Sequence, residues 1–205
     1  MLILKNCRYI RVAKTGTQYC THAIKASCKN FREAGILEES YHMSSKDGSS
    51  SLPAFGFVRH PITWLESYWR HRCTHGWKED ACEIDLRCQS DKFIEFIEHL
   101  LRELRPGFVS RTFQQMLGKN YSDCQFIGRF ENLTNDLASA LLFFKEDVCI
   151  KKLITSPAVN VGNRESFPDQ ELPQTLAKEI VIAEKELMFQ FYADCPILRS
   201  ALKLS

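Results

Sequence analysis

Apolar residues along the chain fall into two rhythms: short unbroken runs, and longer stretches in which they recur every three or four positions. The short runs are Arg8 to Val12, Ala54 to Val58 and Gln125 to Gly128, each brief and apolar enough for a buried strand. Each is followed by a turn and then by a segment of helical character. Lys14-Thr15-Gly16-Thr17 leads into a stretch with few helix breakers that runs to about Lys29. Arg59-His60 leads into Pro61, which suits the first turn of a helix, and that helix runs to about Arg72. Arg129 to Asn132 leads into a helix with Leu133, Leu137, Leu141 and Leu142 on one face. Strands alternating with helices in this way predict a three-layer α/β fold, with a parallel central sheet and helices on both faces.

Between the second and third of these units, Asp91 to Leu104 places Phe93, Ile94, Phe96, Ile97, Leu100, Leu101 and Leu104 at helical spacing. Ser90 or Asp91 is its cap. A last helix is predicted from about Gln174 to Tyr192, after Pro168 and Pro173, with Leu176, Ile180, Val181, Leu187 and Phe191 as its apolar positions. The one low-complexity patch, SSKDGSSS from Ser44 to Ser51, reads as an exposed loop between the first two units. With no internal repeat, a single domain over residues 1–205 is expected. No run approaches the roughly 18 consecutive apolar residues of a membrane span. The opening MLILKNCRYIRV reaches charge too early for a signal peptide or anchor, so a cytoplasmic location is expected.

Charge narrows the classes of partner. The formal net charge is +2 and the basic residues are scattered, so neither a nucleic-acid arm nor a polyanion-binding tail is indicated, and any anion site must be local. Nine cysteines, without the dense spacing of a small secreted scaffold, read as mostly free thiols. His71, Cys73 and His75, with Cys82 and Cys88 downstream, are residue types that bind zinc. Their spacing is irregular and lacks Cys-x-x-Cys pairs, so no metal is assigned. Trp64, Tyr68, Trp69 and Trp77 suit a core better than a pocket, because aromatics at helical spacing more often pack inside.

The candidate chemistry starts at Lys14. A strand that ends in Lys14-Thr15-Gly16-Thr17 and opens a helix aims backbone N–H groups, a hydroxyl, an ammonium and the positive helix end at one point, which suits an anion. For the tetrapeptide alone, an ordinary glycine turn beside a surface lysine is an equal alternative. The nucleotide-triphosphate loop G-x-x-x-x-G-K-[ST] is absent, because the lysine precedes the glycine by two residues and the upstream glycine is missing. The arrangement instead resembles the 5'-phosphosulfate loop of sulfotransferases that use 3'-phosphoadenosine 5'-phosphosulfate (PAPS), a strand leading into Lys-[Ser/Thr]-Gly-Thr. A second stretch, Phe57-Val58-Arg59-His60-Pro61 through Ser67-Tyr68, resembles the family's 3'-phosphate motif, with Arg at a strand end, a nearby proline, and Ser eight residues after the Arg. Ser67 then sits about two helical turns beyond Arg59.

A third stretch, Phe126 to Leu133 with Asp136-Leu137 after it, is similar to the family's Gly-Arg-x-Glu-Asn-Leu segment, which lies near the adenine. Pro106 to Ser110 and Asn160 to Asn163 resemble stretches of bacterial-type members, so the resemblance spans Arg8 to about Arg164. It implies a P-loop-like sulfotransferase fold, PAPS as sulfuryl donor, 3'-phosphoadenosine 5'-phosphate (PAP) as product, and no metal. Lys14 would meet the charge that develops on the leaving group, and the N–H groups of Gly16 and Thr17 would hold the 5'-phosphate. Thr15, Thr17 and Gln18 would add contacts, and Phe130 would stack on the adenine, although a core phenylalanine is the plain alternative. The C-terminal Arg-Lys-Gly of animal cytosolic members is missing, and Arg164 is the substitute.

In the family the base comes from between the two phosphate motifs, where this chain offers His22, Glu38, Glu39, His42 and Asp47. His42 is selected, sixteen residues before Val58, because imidazole titrates near neutrality; Glu39 is the reserve. The implied acceptor is a hydroxyl or amine of a saccharide, lipid-linked glycan or small metabolite. Two alternatives stay open, a small-molecule kinase using ATP and magnesium, and an inactive sulfotransferase-like domain that binds a nucleotide or a protein.

Overall fold

The computed structural model describes residues 1–33, 51–78, 82–157 and 171–202. The strand runs lie in one five-stranded sheet, built from β1 (Leu2–Leu4), β2 (Arg8–Tyr9), β3 (Phe31–Glu33), β4 (Ala54–Val58) and β5 (Phe126–Arg129) in the order β3-β1-β2-β4-β5. β2, β4 and β5 are parallel, with Tyr9 against Phe55 and Val58 against Arg129. This is the predicted α/β core, and its strand order brings the ends of all three predicted strands side by side. β1 and β3 were not read from the sequence, and they extend the sheet with antiparallel pairs on the β2 side. Strand β1 turns into β2 through a tight connection closed by the Leu4 N–H on the Cys7 carbonyl at 2.8 Å.

The chain divides into two compact units, Met1–Arg59 with Thr112–Asn160, and His60–Arg111 with Val161–Ser205. The first holds the sheet together with α1 (Thr17–Ser27), α6 (Leu133–Phe143) and α7 (Ile150–Ile154). Alternation along the strands sends Leu2, Leu4, Tyr9, Phe55 and Phe57 to one face. There they form a core with Cys20, Ala23 and Ile24 of α1, Leu137, Ala140 and Leu141 of α6, and Leu153 of α7. On the opposite face Gly56 leaves room for Leu117, at the end of α5 (Phe108–Leu117). Helices thus cover both faces, as the βα pattern requires. The apolar stripe of α6 runs through Leu137, Ala140 and Leu141, and Leu142, one helical step off that stripe, is 57% exposed rather than buried as expected.

The second unit is helical: α2 (Pro61–His75), α3 (Glu83–Arg87), α4 (Phe93–Glu103), the first turn of α5, α8 (Gln174–Ala183), α9 (Lys185–Phe191) and α10 (Pro196–Leu202). Pro61 opens α2 at its first position, as expected. Trp64, Tyr68 and Trp69 are core residues, with Trp69 on Phe93 at 5.4 Å between ring centroids. The start of α4 is secured by Ser90, whose hydroxyl accepts the Lys92 N–H at 3.1 Å and donates to Glu95 at 3.1 Å. The single last helix expected over Gln174 to Tyr192 is two, broken at Glu184. All nine cysteines are free. Among the described residues no helix is long and apolar enough to cross a membrane.

Candidate active site

Three strand ends supply the site in the first unit. The carboxyl ends of parallel strands are where an α/β sheet exposes loop N–H groups and helix starts, so ligand sites gather there. Lys14 follows β2, Arg59 follows β4 and Phe130 follows β5.

The loop after β2 is shaped by backbone conformations that side chains ordinarily avoid. Lys14 has φ 64 and Gly16 has φ 78, both left-handed. Gly16 is the N-cap of α1. A Cβ there would collide with Leu133 at the start of α6 and crowd the Phe130 ring at 3.3 Å, so glycine is required by conformation and by space. The two threonines hold the loop from inside. Thr15 and Thr17 are buried, and both hydroxyls donate to the Val12 carbonyl, at 2.9 and 2.6 Å. Their protons are therefore committed to the fold. Among the described residues no side chain caps the start of α1, and no acidic residue lies in its first turn. Such a helix start presents backbone N–H groups and the positive end of the macrodipole to an anion.

Arg59 closes the loop from the neighbouring strand. Its Nη1 donates to the Lys14 carbonyl at 3.0 Å, and its guanidinium carbon lies 4.0 Å from the centroid of the Phe130 ring. The ring expected to stack on adenine therefore presents a face to Arg59. Phe130 sits in a short 3₁₀ turn, Phe130–Asn132, between β5 and α6. Asp136 fixes that junction, its two carboxylate oxygens accepting the Arg129 N–H at 2.6 Å and the Asn132 amide at 2.7 Å. Tyr19 and Thr134 share a hydroxyl bond of 2.8 Å that ties α1 to α6.

The structure thus brings Lys14, Gly16, Arg59 and Phe130 together. Gln18 is exposed in the first turn of α1. Ser67 is half-buried on α2 and belongs to the second unit. His42, Glu39 and Arg164 lie outside the described residues.

Sequence reasoning missed three contributors. Leu133 and Asp136 were named only as members of the third stretch and its helix, with no role of their own, and their contacts to Gly16 and Arg129 are made through the fold. Arg11, only 4% exposed, puts a buried guanidinium three residues before Lys14. An arginine inside the apolar run Ile10 to Val12 was its signal. Beneath the loop, burial pushes the Cys20 thiol up to about 12, so this residue is a core group with no nucleophilic character at neutral pH.

The zinc-type residues stay dispersed. His71 and His75 pack ring on ring at 4.3 Å along α2, Cys82 meets the Tyr68 hydroxyl at 3.2 Å, and burial pushes the Cys88 thiol up to about 12. Among the described residues, no three His, Cys, Asp or Glu side chains come together as a metal site.

No curated protein and no solved structure matches the chain. Residues 6–149, which hold the Lys14–Thr17 loop, Arg59 and the β5–α6 junction, match the profile of the sulfotransferase family, and the chain belongs to that family.

Proposed function

We propose that the protein transfers a sulfuryl group from PAPS to a hydroxyl or amine of a saccharide, lipid-linked glycan or small metabolite, leaving PAP. The observation that carries this reading is the bond from Arg59 to the Lys14 carbonyl, which joins the lysine of the first phosphate motif to the arginine of the second within one unit of a sulfotransferase-family chain. The open start of α1 receives the 5'-phosphosulfate on the N–H groups of Gly16 and Thr17. Lys14 stabilises the bridging oxygen as the S–O bond breaks and negative charge passes to the departing phosphate. Arg59 and Ser67 bind the 3'-phosphate that distinguishes this donor from ATP, with Arg164 added from the later segment. Phe130 acts first as the platform that aims Arg59, at the adenine side of the site. His42, or Glu39 in its place, takes the acceptor proton as the acceptor atom attacks sulfur in line with the leaving oxygen. The chain works in this reading as one cytoplasmic sulfotransferase domain over residues 1–205, without a metal.

Calorimetric titration with PAP and with ATP tests the donor. PAP is expected to bind at least about tenfold more tightly, and Arg59→Ala to remove most of that preference by deleting a charge-assisted partner of the 3'-phosphate. Equal affinity for the two nucleotides, with no effect of Arg59→Ala, refutes the PAPS assignment and favours the kinase alternative.

A further inference from the structure

The second unit carries an open surface cavity of about 450 Å³ that the phosphate motifs do not use. It forms because of how α2 stops. Gly76, at φ 84 and ψ 151, donates its N–H to the Arg72 carbonyl at 2.8 Å and turns the chain through a conformation favourable to glycine. Trp77 then comes to rest beside Phe96 of α4, 5.8 Å between ring centroids, and lines the cavity. Ser90 lines the same cavity, but its polar groups are already in use. Its carbonyl accepts the Trp69 indole N–H at 3.1 Å, and its hydroxyl is bonded to Lys92 and Glu95.

Two opposite charges share the walls, Arg72 and Asp91. Arg72 is held from behind. Its Nη2 lies 2.8 Å from Asp85, its Nε and Nη2 donate to the Tyr68 hydroxyl at 3.3 and 3.2 Å, and that hydroxyl donates to Asp85 at 2.8 Å. The Asp85 side chain is fully buried whereas Arg72 keeps 13% of its exposure, so the positive end of the pair is the one at the cavity. Asp91 is exposed and lines the same space.

A ligand of one charge meets attraction from one of these groups and repulsion from the other. A neutral ligand covers both ions without replacing their water in full. A molecule carrying both charges satisfies both walls, and an ammonium is further favoured near an indole face. We infer that this cavity binds a small zwitterion, with its carboxylate or sulfonate on Arg72, its ammonium on Asp91, and an apolar or aromatic body on Trp77. This site is independent of sulfuryl transfer and stands or falls by itself.

The test titrates the full chain, followed by tryptophan fluorescence and calorimetry, with two zwitterions of different charge spacing, L-phenylalanine and 5-aminopentanoate. Their controls are 2-phenylethylamine as cation, 3-phenylpropanoate as anion and a neutral methyl glucoside. At least one zwitterion is expected to saturate, about tenfold more tightly than the cation or the anion. Asp91→Asn, a change at an exposed position, is expected to erase that advantage and leave 3-phenylpropanoate binding undiminished. Trp77→Ala is expected to abolish the fluorescence response and weaken every probe. The inference is overturned if neither zwitterion saturates, if singly charged probes bind as well as the zwitterions, if the glucoside binds most tightly, or if Asp91→Asn leaves the preference intact.

Discussion

α1 and α5 each begin at a turn containing a left-handed glycine, Gly16 before one and Gly107 before the other, yet their first turns are completed differently. At α5 the chain supplies its own anion. Glu184 is nearly fully buried, and its carboxylate accepts the N–H groups of Val109 and Ser110 at 2.8 Å each and the Ser110 hydroxyl at 2.6 Å. At α1 the nearby hydroxyls turn away to the Val12 carbonyl, no side chain among the described residues caps the helix, and no acid lies in its first turn. A helix start carries about half a positive charge and N–H groups that have no partner within the helix in both cases. Where a carboxylate of the chain meets that need, the result is architecture. Where none of the described residues supplies one, the same physics favours an anion from outside the chain, which is what the proposed donor would bring.

The largest expected effect comes from disturbing the open start. Gly16→Ala forces an L side chain to φ 78 and drives a methyl into Leu133 and Phe130. The left-handed conformation costs about 1–2 kcal/mol and the overpacking about 1–3 kcal/mol, so a loss of about 2–5 kcal/mol is expected in urea unfolding. PAP affinity should fall with it, because the ring that supports Arg59 is displaced. A variant as stable as the wild type would show that the Gly16 contact with α6 is not constraining.

The closed start comes next. Glu184→Ala leaves three donors without their acceptor, at about 2–3 kcal/mol, with amide exchange accelerated at Val109 and Ser110 first. Burial pushes the Glu184 carboxyl above its ordinary 4.5, against the pull of its hydrogen bonds to Ser110 and Val109. The folded chain therefore holds this proton more tightly than the unfolded chain. That contribution to stability is fully present below the ordinary value and is lost as pH rises through the raised one. Glu184→Gln should flatten this segment of the stability–pH curve, and an unchanged curve would show that Glu184 does not set it.

The contrast between these two helix starts also separates what the sequence displays from what it conceals. The open start is local: strand, Lys14, Gly16 and helix are contiguous, and the same holds for Val58, Arg59 and Pro61, so the pattern of residues could be read directly. The closed start joins Glu184 to Ser110 across 74 positions, and nothing in the helical periodicity of Gln174 to Tyr192 marks a break there. Leu142 misled because a leucine one step off the stripe looks like part of it. β1 and β3 escaped notice because each has three residues, too few for alternation to register, and their pairing is made by the fold. The Arg59 contact with Phe130 was hidden for another reason. Both residues were selected singly, but their stacking depends on β4 and β5 being neighbours, which residue spacing does not encode.

The smallest expected effect gives the sharpest test of the comparison. Gln18 is exposed in the first turn of α1, and Gln18→Glu gives that helix a carboxylate of its own without changing side-chain size. A negative group in the first turn of a helix stabilises it by about 0.3–1 kcal/mol at low ionic strength. The variant should therefore unfold at slightly higher urea. The same carboxylate stands against an incoming phosphate, so PAP should bind about two- to fivefold more weakly, the same free energy read as an affinity. Both changes should shrink together as salt is raised, since the group is exposed and screened. A gain in stability with PAP affinity untouched would separate the start of α1 from the anion site. A loss of affinity without any gain in stability would mean that the new carboxylate repels the ligand without interacting with the helix.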